Sequence, residues 1–270
     1  MPELPEVETV RRTLKNFVLH KTIDSIEVLY PRIIDGDVET FVTTLIHQSI
    51  CDIDRYGKYL IFILDHDAFI SHLRMEGKYN IKMKDEPYDK HDHIIFHMTD
   101  GTDLRYNDTR KFGRMQLVDK NHYREIPPLS RLGQEPMDAS FDYIYPRIHQ
   151  SHLPIKQLLL DQSIFTGIGN IYANEICFRM GMDPRTRGDR LSKKRILELI
   201  EVSSTILKEA IAQGGTTIHS FDANGIHGLF QVTLSVHAQT TCSKCKGPIK
   251  KITIAGRGTY YCPHCQKRRY

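Results

Sequence analysis

The first residues of the chain contain a combination that can act as a covalent catalyst. Glu3 directly follows Pro2, and removal of Met1 would leave Pro2 with a free secondary amine. An N-terminal amine has a pKa near ~8, against ~10.4 for lysine, so much more of it is unprotonated and nucleophilic at neutral pH. An imine formed by proline is a charged iminium, which is a strong electron sink. The alternative is a plain helix start, with Pro5 in the first turn and acidic residues near the positive end of the helix dipole.

Four cysteines near the end of the sequence have the spacing of a metal site. Two residues separate Cys242 from Cys245 and Cys262 from Cys265, and sixteen residues lie between the pairs. This spacing is typical of a four-cysteine zinc ribbon, and four protein thiolates leave no open position on the metal. We therefore predict one structural Zn²⁺, whereas the alternative of two disulfides is disfavoured in a cytoplasmic protein. The other two cysteines lie in apolar runs and are predicted to be core residues: Cys51 and Cys177.

The cysteine-rich segment is also strongly basic. Residues 241–270 contain eight Lys or Arg and no Asp or Glu, whereas the whole chain has a net charge of only +4. A small basic module favours a polyanionic partner, and nucleic acid is the first candidate. Arg257, between Gly256 and Gly258, lies near the expected hairpin turn and is predicted to contact a phosphate. The alternative is an exposed turn arginine that binds nothing.

A glycine-containing segment, residues 166–170, precedes a stretch with helical character. Small residues at a helix start expose backbone N–H groups to an anion, and the helix dipole favours the same ligand. Asn170 can either cap this helix or donate its side-chain amide to a phosphate. Lys156, on the preceding helical segment, is a second candidate for that phosphate, although taken alone it is better explained as a solvated charge.

Two expected turns carry a large apolar residue. Residues 72–77 contain Met75, and residues 108–113 contain Phe112 two positions after Arg110. Enzymes that act on a base flip it out of the duplex and insert apolar side chains into the gap. An arginine can donate to the bases that are left behind. The alternative, which the residues alone favour, is that Met75 and Phe112 belong to the core.

The periodicity of the chain predicts an α+β fold. Its 270 residues are enough for two domains and a sizeable core. Residues 5–18 have helical spacing, and residues 22–118 contain short apolar or alternating runs that are typical of an antiparallel β-sandwich or barrel. After a breaker-rich stretch the period becomes helical, most clearly over residues 191–213. The stretch that follows, residues 216–228, is polar and Gly-rich and is predicted to be a mobile loop.

These patterns divide the chain into a catalytic β-sandwich domain, a linker, a helical domain and a zinc ribbon. The predicted bounds are, in that order, 1–126, 127–138, 139–229 and 230–270. The sequence has no apolar run of about 18 residues, and its N-terminus lacks the order of a signal peptide. We therefore expect a cytoplasmic location.

Several segments occur in an order that resembles the formamidopyrimidine-DNA glycosylase family, the bacterial repair enzymes for oxidised purines. The resemblance covers nearly the whole chain and implies an N-terminal helix with a β-sandwich, a helix–two-turn–helix module and a zinc finger. It also implies a monomer whose partner is double-stranded DNA with damaged bases or abasic sites, and which associates with the nucleoid. The segments are Pro2–Glu8, Tyr56–Leu60, His72–Gly77, Arg110–Gly113, Gly167–Glu175 and the cysteine ribbon.

The same resemblance implies roles for individual residues. Pro2 would attack C1′ of the damaged nucleotide, Glu3 would be the acid/base group near the sugar ring oxygen, and Glu6 would hold the site in place. Lys58 would lie near the damaged base and its phosphate. The residues implied to contact DNA, either by filling the gap in the duplex or by binding phosphates, are His72, Met75, Arg110, Phe112, Lys156, Asn170 and Arg257.

The implied reaction is base excision followed by strand cleavage through β- and δ-elimination. One alternative is the related endonuclease VIII branch, which prefers oxidised pyrimidines, but Leu4 stands where that branch usually has glycine. Another is a non-catalytic zinc-ribbon protein, which would bind duplex DNA with a steep salt dependence and leave abasic sites intact. The chain departs from the family pattern at His237 and Ala238, where a tyrosine and a glycine are expected.

Overall fold

The computed structural model describes residues 1–216 and 234–268, which form two compact units. The first unit contains residues 1–130 and Thr216, and the second contains residues 131–215 and 234–268. Strands dominate the first unit, whereas the second has helices followed by a two-stranded ribbon. The predicted α+β fold is confirmed.

The first unit is a β-sandwich with a long helix at its N-terminus. Its elements are α1 (Leu4–Val18), β1 (Ile23–Val28), α2 (Val38–Leu45), β2 (Ile50–Tyr56), β3 (Tyr59–Leu64), β4 (Asp67–His72), β5 (Lys78–Met83), β6 (Asp92–Met98), β7 (Thr102–Asn107) and β8 (Arg114–Asp119). The strands form two four-stranded sheets with the orders β1-β6-β7-β5 and β2-β3-β4-β8. Every pairing within them is antiparallel.

The core of this unit contains side chains from both sheets. Phe62 and Phe69 stack with ring centroids 4.5 Å apart, and Phe69 stacks on Phe96 of the other sheet at 5.3 Å. All three rings are fully buried, and each contributes roughly 1.5–3 kcal/mol to stability. The apolar face of α1 belongs to the same cluster, so the N-terminal segment is fixed against the sandwich.

One strand of the sandwich, β7, has an ion pair on one of its two buried faces. Asp103 and Arg105 are almost fully buried, and the guanidinium donates to Asp103 Oδ2 at 2.8 and 3.0 Å. Burial of a charge is costly, and pairing of this kind offsets part of that cost. The polar and apolar residues of β7 alternate as in a half-buried strand, but both of its faces are buried.

The second unit contains four α-helices and a β-hairpin within its described residues. They are α3 (Phe141–His149), α4 (Ile155–Leu160), α5 (Asn170–Arg179), α6 (Lys193–Ala212), β9 (Lys250–Ile254) and β10 (Arg257–Tyr261). Helix α3 has little helical signal in the sequence because it contains Pro146. The buried residues of α6 are spaced three and four apart, as the sequence predicts: Ile196, Leu199, Ser203, Ile206, Leu207 and Ala210.

The two cysteines outside the ribbon differ in their surroundings. Cys177 on α5 is buried, which confirms the prediction, but Cys51 is exposed, so its assignment to the core is wrong. Successive side chains of a strand point to opposite faces, and in β2 it is Ile50 that points inward. No helix in the described part of the chain is long and apolar enough to cross a membrane.

Candidate active site

A buried carboxylate network holds the segment that carries the candidate nucleophile. The backbone N–H of Glu3 donates to Glu6 Oε2 at 2.9 Å, and the Glu3 carboxylate accepts from the backbone N–H of Glu6. This reciprocal pair is a capping box at the start of α1. Glu6 Oε1 also accepts from the backbone N–H of Thr216 at 2.8 Å and from its hydroxyl at 2.9 Å. Glu6 therefore fixes both the residue that follows Pro2 and a position far along the chain.

Pro2 directly precedes this network and is partly exposed, and Met1 is exposed. While Met1 is attached, the Pro2 nitrogen belongs to a peptide bond, whose resonance withdraws the lone pair needed for attack. Pro5 lies in the first turn of α1, as a plain helix start also requires. The same residues thus satisfy both interpretations of the N-terminal block, since the helix start is what positions Pro2 and Glu3.

A third glutamate of this helix, Glu8, lies in a cluster of arginines. It accepts hydrogen bonds from Arg11 and Arg12, each at 2.7 Å, and from Arg55 at 3.1 Å. Burial by itself would raise the pKa of Glu8, but these hydrogen bonds lower it to about 2. Because Arg55 belongs to β2, Glu8 connects the helix to the sheet rather than acting as an acid or base.

Lys58 lies in the two-residue turn between β2 and β3. Gly57 precedes it with φ +58°, a backbone conformation that suits a hairpin turn. Strand pairing joins Tyr59 to His72. Burial first, then the charges of Arg74 and Lys58, lower the pKa of His72 to about 3. His72 is therefore neutral at pH 7, and because its Nδ1 accepts from the Arg74 N–H at 2.9 Å, its Nε2 carries the proton.

Two loops, residues 73–77 and 108–113, carry the candidate intercalating side chains and are called the wedge loops below. Met75 is 37% exposed and Phe112 is 49% exposed, so the interpretation that they belong to the core is wrong. The Arg110 guanidinium lies over the Phe112 ring, 4.8 Å from its centroid. This cation–π contact places a charged hydrogen-bond donor beside an exposed aromatic ring.

A buried aspartate shapes the second wedge loop. Asp108 is fully buried, and its carboxylate accepts from the backbone N–H groups of Arg110 at 2.9 Å, Phe112 at 2.8 Å and Gly113 at 2.9 Å. Lys111 adopts φ +58°, which is unfavourable for a residue with a side chain. Sequence reasoning missed Asp108 as a site residue. The available signal was an aspartate at a strand end, where its side chain can bind the backbone of a following turn.

The two wedge loops pack against the same buried residue, Tyr106. A Cβ atom on either Gly77 or Gly113 would overlap the hydroxyl of Tyr106, so this buried tyrosine packs directly against both loops. The hydroxyl of Thr109 also donates to the carboxylate of Glu76, which connects one loop to the other. Buried polar residues therefore hold the loops that carry the exposed apolar side chains.

In the second unit, the side chain of Lys156 is fully buried, so its interpretation as a solvated charge is wrong. Its ammonium donates to Asn170 Oδ1 at 2.8 Å, to the Gly258 carbonyl at 3.1 Å and to Thr259 Oγ1 at 2.7 Å. An ammonium can only donate, so this contact fixes the orientation of the Asn170 amide and leaves its Nδ2 to donate elsewhere. Arg257, the residue before Gly258, is exposed.

Asn170 is the first residue of α5 rather than its cap. The N-cap is Gly169, whose backbone is extended and which has no side chain to bind the helix start. The N-terminal turn of a helix has N–H groups without partners inside the helix, and the dipole favours an anion there. The Asn170 side chain thus lies beside a helix start that suits a phosphate.

Sequence reasoning also missed Glu175 as an organising residue, although it ends one of the segments that carry the resemblance. Its buried carboxylate accepts from the backbone N–H groups of Ser235 at 2.9 Å, Val236 at 3.0 Å and His237 at 2.8 Å. Three amide donors on one carboxylate hold the segment before the ribbon against α5. The signal in the sequence was a glutamate on the inner side of a short helix.

The departure from the family pattern at residues 237–238 has a structural consequence at each position. His237 Nδ1 lies 2.7 Å from Asn174 Nδ2, and its ring packs edge-on against Tyr260. Burial, and to a smaller extent the charge of Lys156, lowers the pKa of His237 to about 4, so the ring is neutral at pH 7. Ala238 adopts φ +57°, which is the conformation for which glycine is suited.

The four ribbon cysteines form a cluster that fits zinc. Their sulfur atoms all lie within 4.8 Å of one another, with Cys242 and Cys265 at 3.8 Å and Cys245 and Cys262 at 3.5 Å. A tetrahedral site with Zn–S bonds of ~2.3 Å requires sulfur atoms about 3.8 Å apart, whereas a disulfide requires ~2.05 Å. Although burial raises it, backbone hydrogen bonds lower the pKa of the Cys242 thiol to about 7. The site holds one structural zinc ion.

The proposed site residues fall into two groups. The first unit contains Pro2, Glu3, Glu6, Lys58, His72 and both wedge loops, and the second contains Lys156, Asn170, Arg257 and the zinc cluster. The predicted mobile loop, residues 216–228, lies outside the described residues except for Thr216.

Comparisons with known proteins agree with this architecture. Family models described as the formamidopyrimidine-DNA glycosylase N-terminal domain, its H2TH domain and a zinc finger found in FPG and IleRS match residues 1–115, 132–222 and 241–268. Among curated proteins, the formamidopyrimidine-DNA glycosylase of Lactobacillus helveticus is 46% identical over 98% of this chain and 99% of its own length. That of Bacillus subtilis is 45% identical over 100% of both chains.

Solved structures agree as well. One is a mutant of Lactococcus lactis FPG in complex with DNA that contains Fapy-dG, with a TM-score of 0.94 and 38% identity. The match covers 99% of this chain and 100% of that chain. A complex of the Lactococcus lactis protein with abasic-site DNA has a TM-score of 0.92 and 37% identity, with 98% and 100% coverage. These similarities define a DNA glycosylase of base excision repair. The chain belongs to the formamidopyrimidine-DNA glycosylase family.

Proposed function

We propose that this enzyme excises oxidised purines, such as 8-oxoguanine and formamidopyrimidines, from duplex DNA and then cleaves the strand. The observation that carries the proposal is the network of Glu3, Glu6 and Thr216, which places a buried carboxylate directly beside Pro2. The similar Lactococcus lactis structures contain Fapy-dG or abasic-site DNA, which supports this class of substrate and a double-stranded DNA partner.

In the proposed reaction the free amine of Pro2 attacks C1′, and the bond from C1′ to the damaged base breaks as the base leaves. Glu3 takes the proton that the attacking nitrogen loses and passes it to the sugar ring oxygen, so the ring opens to an iminium, while the departing base takes a proton from water. The iminium acidifies C2′, so loss of a proton there expels the 3′ phosphate. Loss of a second proton, from C4′, expels the 5′ phosphate, and water releases the sugar and restores the amine.

Glu6 acts as a positioning residue in this scheme. Both of its carboxylate oxygens accept hydrogen bonds from groups that must stay in place, namely the Glu3 backbone and Thr216. Lys58 supplies positive charge near the damaged nucleotide. His72, which is neutral and protonated on Nε2, supplies a donor to the DNA backbone without adding charge.

The wedge loops would occupy the space that the flipped base leaves in the duplex. Met75 and Phe112 are exposed apolar side chains on a rigid base, which suits insertion between bases. Arg110, which lies against Phe112, would donate to the bases that remain in the stack.

Asn170 and Arg257 would bind phosphates on either side of the lesion. For Lys156 the geometry favours a role other than the direct phosphate contact that the resemblance implies, because its buried ammonium already has three acceptors. We propose that Lys156 positions the Asn170 amide and the start of β10, on which Arg257 lies.

The proposal also covers the domain organisation of the chain and its location in the cell. We divide the chain into a catalytic domain (1–126), a linker (127–138), a helix–two-turn–helix domain (139–229) and a zinc-finger module (230–270). A monomer in the bacterial cytoplasm, associated with the nucleoid through DNA, is consistent with a DNA repair enzyme whose four zinc-binding thiols must stay reduced.

Borohydride trapping on a duplex with 8-oxoguanine opposite cytosine tests the nucleophile. The chain without Met1 should give a covalent protein–DNA adduct that maps to Pro2, and Pro2→Gly should abolish most of it. The matched control is the same chain with Met1 retained, verified by mass spectrometry, which should trap nothing. Equal trapping in that control would eliminate Pro2 as the nucleophile.

The same assay separates the proposed substrate from the two alternatives. A duplex with thymine glycol should be cut more slowly than one with 8-oxoguanine, whereas the endonuclease VIII branch predicts the reverse. A duplex with an abasic site should be nicked in either case. Binding without nicking would indicate a non-catalytic DNA-binding protein.

A further inference from the structure

A small basic cleft lies in the second unit, at the start of α6. Its volume is about 230 Å³, which is below the ~300–1,000 Å³ of pockets that take drug-sized ligands. Three of the lining residues are cationic and none is acidic. The lining residues that matter are Gly181, Thr186, Arg190, Ser192, Arg195 and Lys267.

The helix that begins at this cleft has an unusual charge distribution. Helix α6 is 20 residues long, and its first three residues are Lys193, Lys194 and Arg195, with no acidic residue in the first turn. Its N-cap, Ser192, accepts from the Arg195 N–H at a long 3.4 Å. Cations at the positive end of a helix dipole are unfavourable, and an anion bound there would offset them.

Two residues that line the cleft, Thr186 and Arg195, each carry a buried polar atom with no hydrogen-bond partner among the described residues. Thr186 is only 1% exposed, and its hydroxyl is one of these groups. The other is Nε of Arg195, although the two Nη atoms of that guanidinium donate to Glu198 at 2.6 Å and to the Met180 carbonyl at 2.9 Å. Buried polar groups almost always have a partner. A ligand with acceptor oxygens in the cleft would supply one for both.

The cleft is separate from the phosphate contacts proposed for the enzyme's reaction. Lys267 closely follows the Cys262–Cys265 pair, and its N–H donates to the carbonyl of Gly181 at 3.1 Å. Arg257 lies at the other end of β10, beside the hairpin turn. Neither Asn170 nor Arg257, the residues proposed to bind phosphates beside the lesion, lines the cleft.

We propose that this cleft binds a phosphate group. A tetrahedral oxyanion accepts from the Thr186 hydroxyl, from Arg195 Nε and from the first amides of α6, while Arg190 and Lys267 neutralise its charge. Two acids compete for these cations: Glu198, 2.6 Å from one Nη atom of Arg195, and Asp189, 3.9 Å from Arg190 Nε. The phosphate comes either from the DNA backbone or from free inorganic phosphate. The proposal does not depend on the roles assigned to Pro2 or Glu3, because it concerns binding alone.

Thermal unfolding of the full-length, zinc-loaded protein tests the site. Inorganic phosphate should raise the Tm more than sodium chloride at equal ionic strength, by an amount that grows with its concentration. Thr186→Val, which removes only the unpartnered hydroxyl, and the double variant R190Q/K267Q should lose most of this shift. Lys208→Gln removes an exposed charge from α6 outside the cleft and should retain it. A phosphate shift that is equal in all four proteins overturns the proposal.

The salt dependence of DNA binding distinguishes the two sources. If a DNA phosphate occupies the cleft, the slope of log K against log salt for an abasic duplex should be smaller by about 1–2 in R190Q/K267Q than in Lys208→Gln. An unchanged slope together with the phosphate-specific Tm shift assigns the site to free phosphate. Absence of both effects means that the cleft is not a phosphate site.

Discussion

The wedge loops of the first unit and the cluster of Lys156 with its three acceptors in the second unit have opposite arrangements of buried and exposed side chains. In the wedge loops, buried polar groups such as Asp108 hold exposed apolar side chains such as Phe112. In the cluster, a fully buried cation, Lys156, holds groups that can face a ligand, such as the Asn170 amide. In both places the residue that would contact DNA differs from the residue that holds it.

This difference explains why residue type gives the wrong expectation of burial at both places. Apolar residues are expected inside and lysines outside, because burial of apolar surface is favourable and burial of charge is costly. Met75 and Phe112 are nevertheless exposed, and Lys156 is buried with three acceptors. Each reversal carries a cost to the isolated protein, which the proposed binding of DNA would explain. The following experiments test that comparison.

The largest effect is expected for Lys156→Met, which removes the ammonium while keeping most of the side chain. Asn170 Oδ1, the Gly258 carbonyl and Thr259 Oγ1 would lose a donor, so the free energy of unfolding should fall by about 3–5 kcal/mol. Urea unfolding of the zinc-loaded protein measures this. Lys208→Met, on the exposed side of α6, should change it by no more than about 0.5 kcal/mol. Similar losses in both variants would contradict the holding role of Lys156.

Asp108→Ala and Phe112→Ala should separate holding from contacting in the wedge loops. Asp108→Ala removes the acceptor of three backbone N–H groups and should lower the free energy of unfolding by about 2–4 kcal/mol. Phe112→Ala truncates an exposed ring, so stability should change by at most about 0.5 kcal/mol while affinity for abasic DNA falls roughly tenfold. Denaturation and DNA-binding titrations measure the two quantities. A strongly destabilised Phe112→Ala would mean that the ring belongs to the core after all.

The pH dependence of stability should report the burial of His72. Its pKa is about 3 in the folded state, mainly because of burial, against 6.5 when unperturbed. Below pH 6.5 the unfolded state binds a proton that the folded state does not. The contribution of His72 to the free energy of unfolding is therefore complete above pH 6.5 and is lost as pH falls towards 3. The loss should be about 1.4 kcal/mol per pH unit from this one group.

His72→Asn, which keeps an acceptor for the Arg74 N–H, should flatten the profile of the first unit between pH 6 and 4 by about that slope. Amide exchange of β4, followed as a function of pH, measures it. The exposed His66 provides a matched His66→Asn control. Parallel profiles for the two variants would show that His72 does not titrate as described.

The smallest effect is expected where the chain departs from its family. Ala238 adopts φ +57°, so Ala238→Gly should stabilise the protein by about 0.5–1 kcal/mol. Ala212→Gly, in the last turn of α6, should have the opposite sign because glycine is unfavourable in a helix. Chemical denaturation of both variants decides the matter, and a destabilised Ala238→Gly would show that the left-handed conformation is not retained.

Sequence alone was sufficient wherever the chemistry depends on spacing. The two Cys-x2-Cys pairs predict the zinc ribbon because a tetrahedral thiolate site needs two close pairs that a hairpin can bring together. The apolar spacing of α1 and α6 predicts their buried faces because each helix turn repeats after 3.6 residues. The order of the family segments, from Pro2–Glu8 to the ribbon, predicts the class of enzyme.

Only the tertiary structure decided which side chains hold the site and which ones face outward. The structure shows the holding roles of Asp108, Glu175 and Tyr106 through their contacts. These contacts follow no regular spacing in the sequence, as with the two glycines that Tyr106 packs against. Lys156 reaches Thr259, more than a hundred residues along the chain. Whether a charge is buried or a phenylalanine is exposed depends on such distant neighbours, because burial and hydrogen bonding are properties of the folded surroundings and not of the residue.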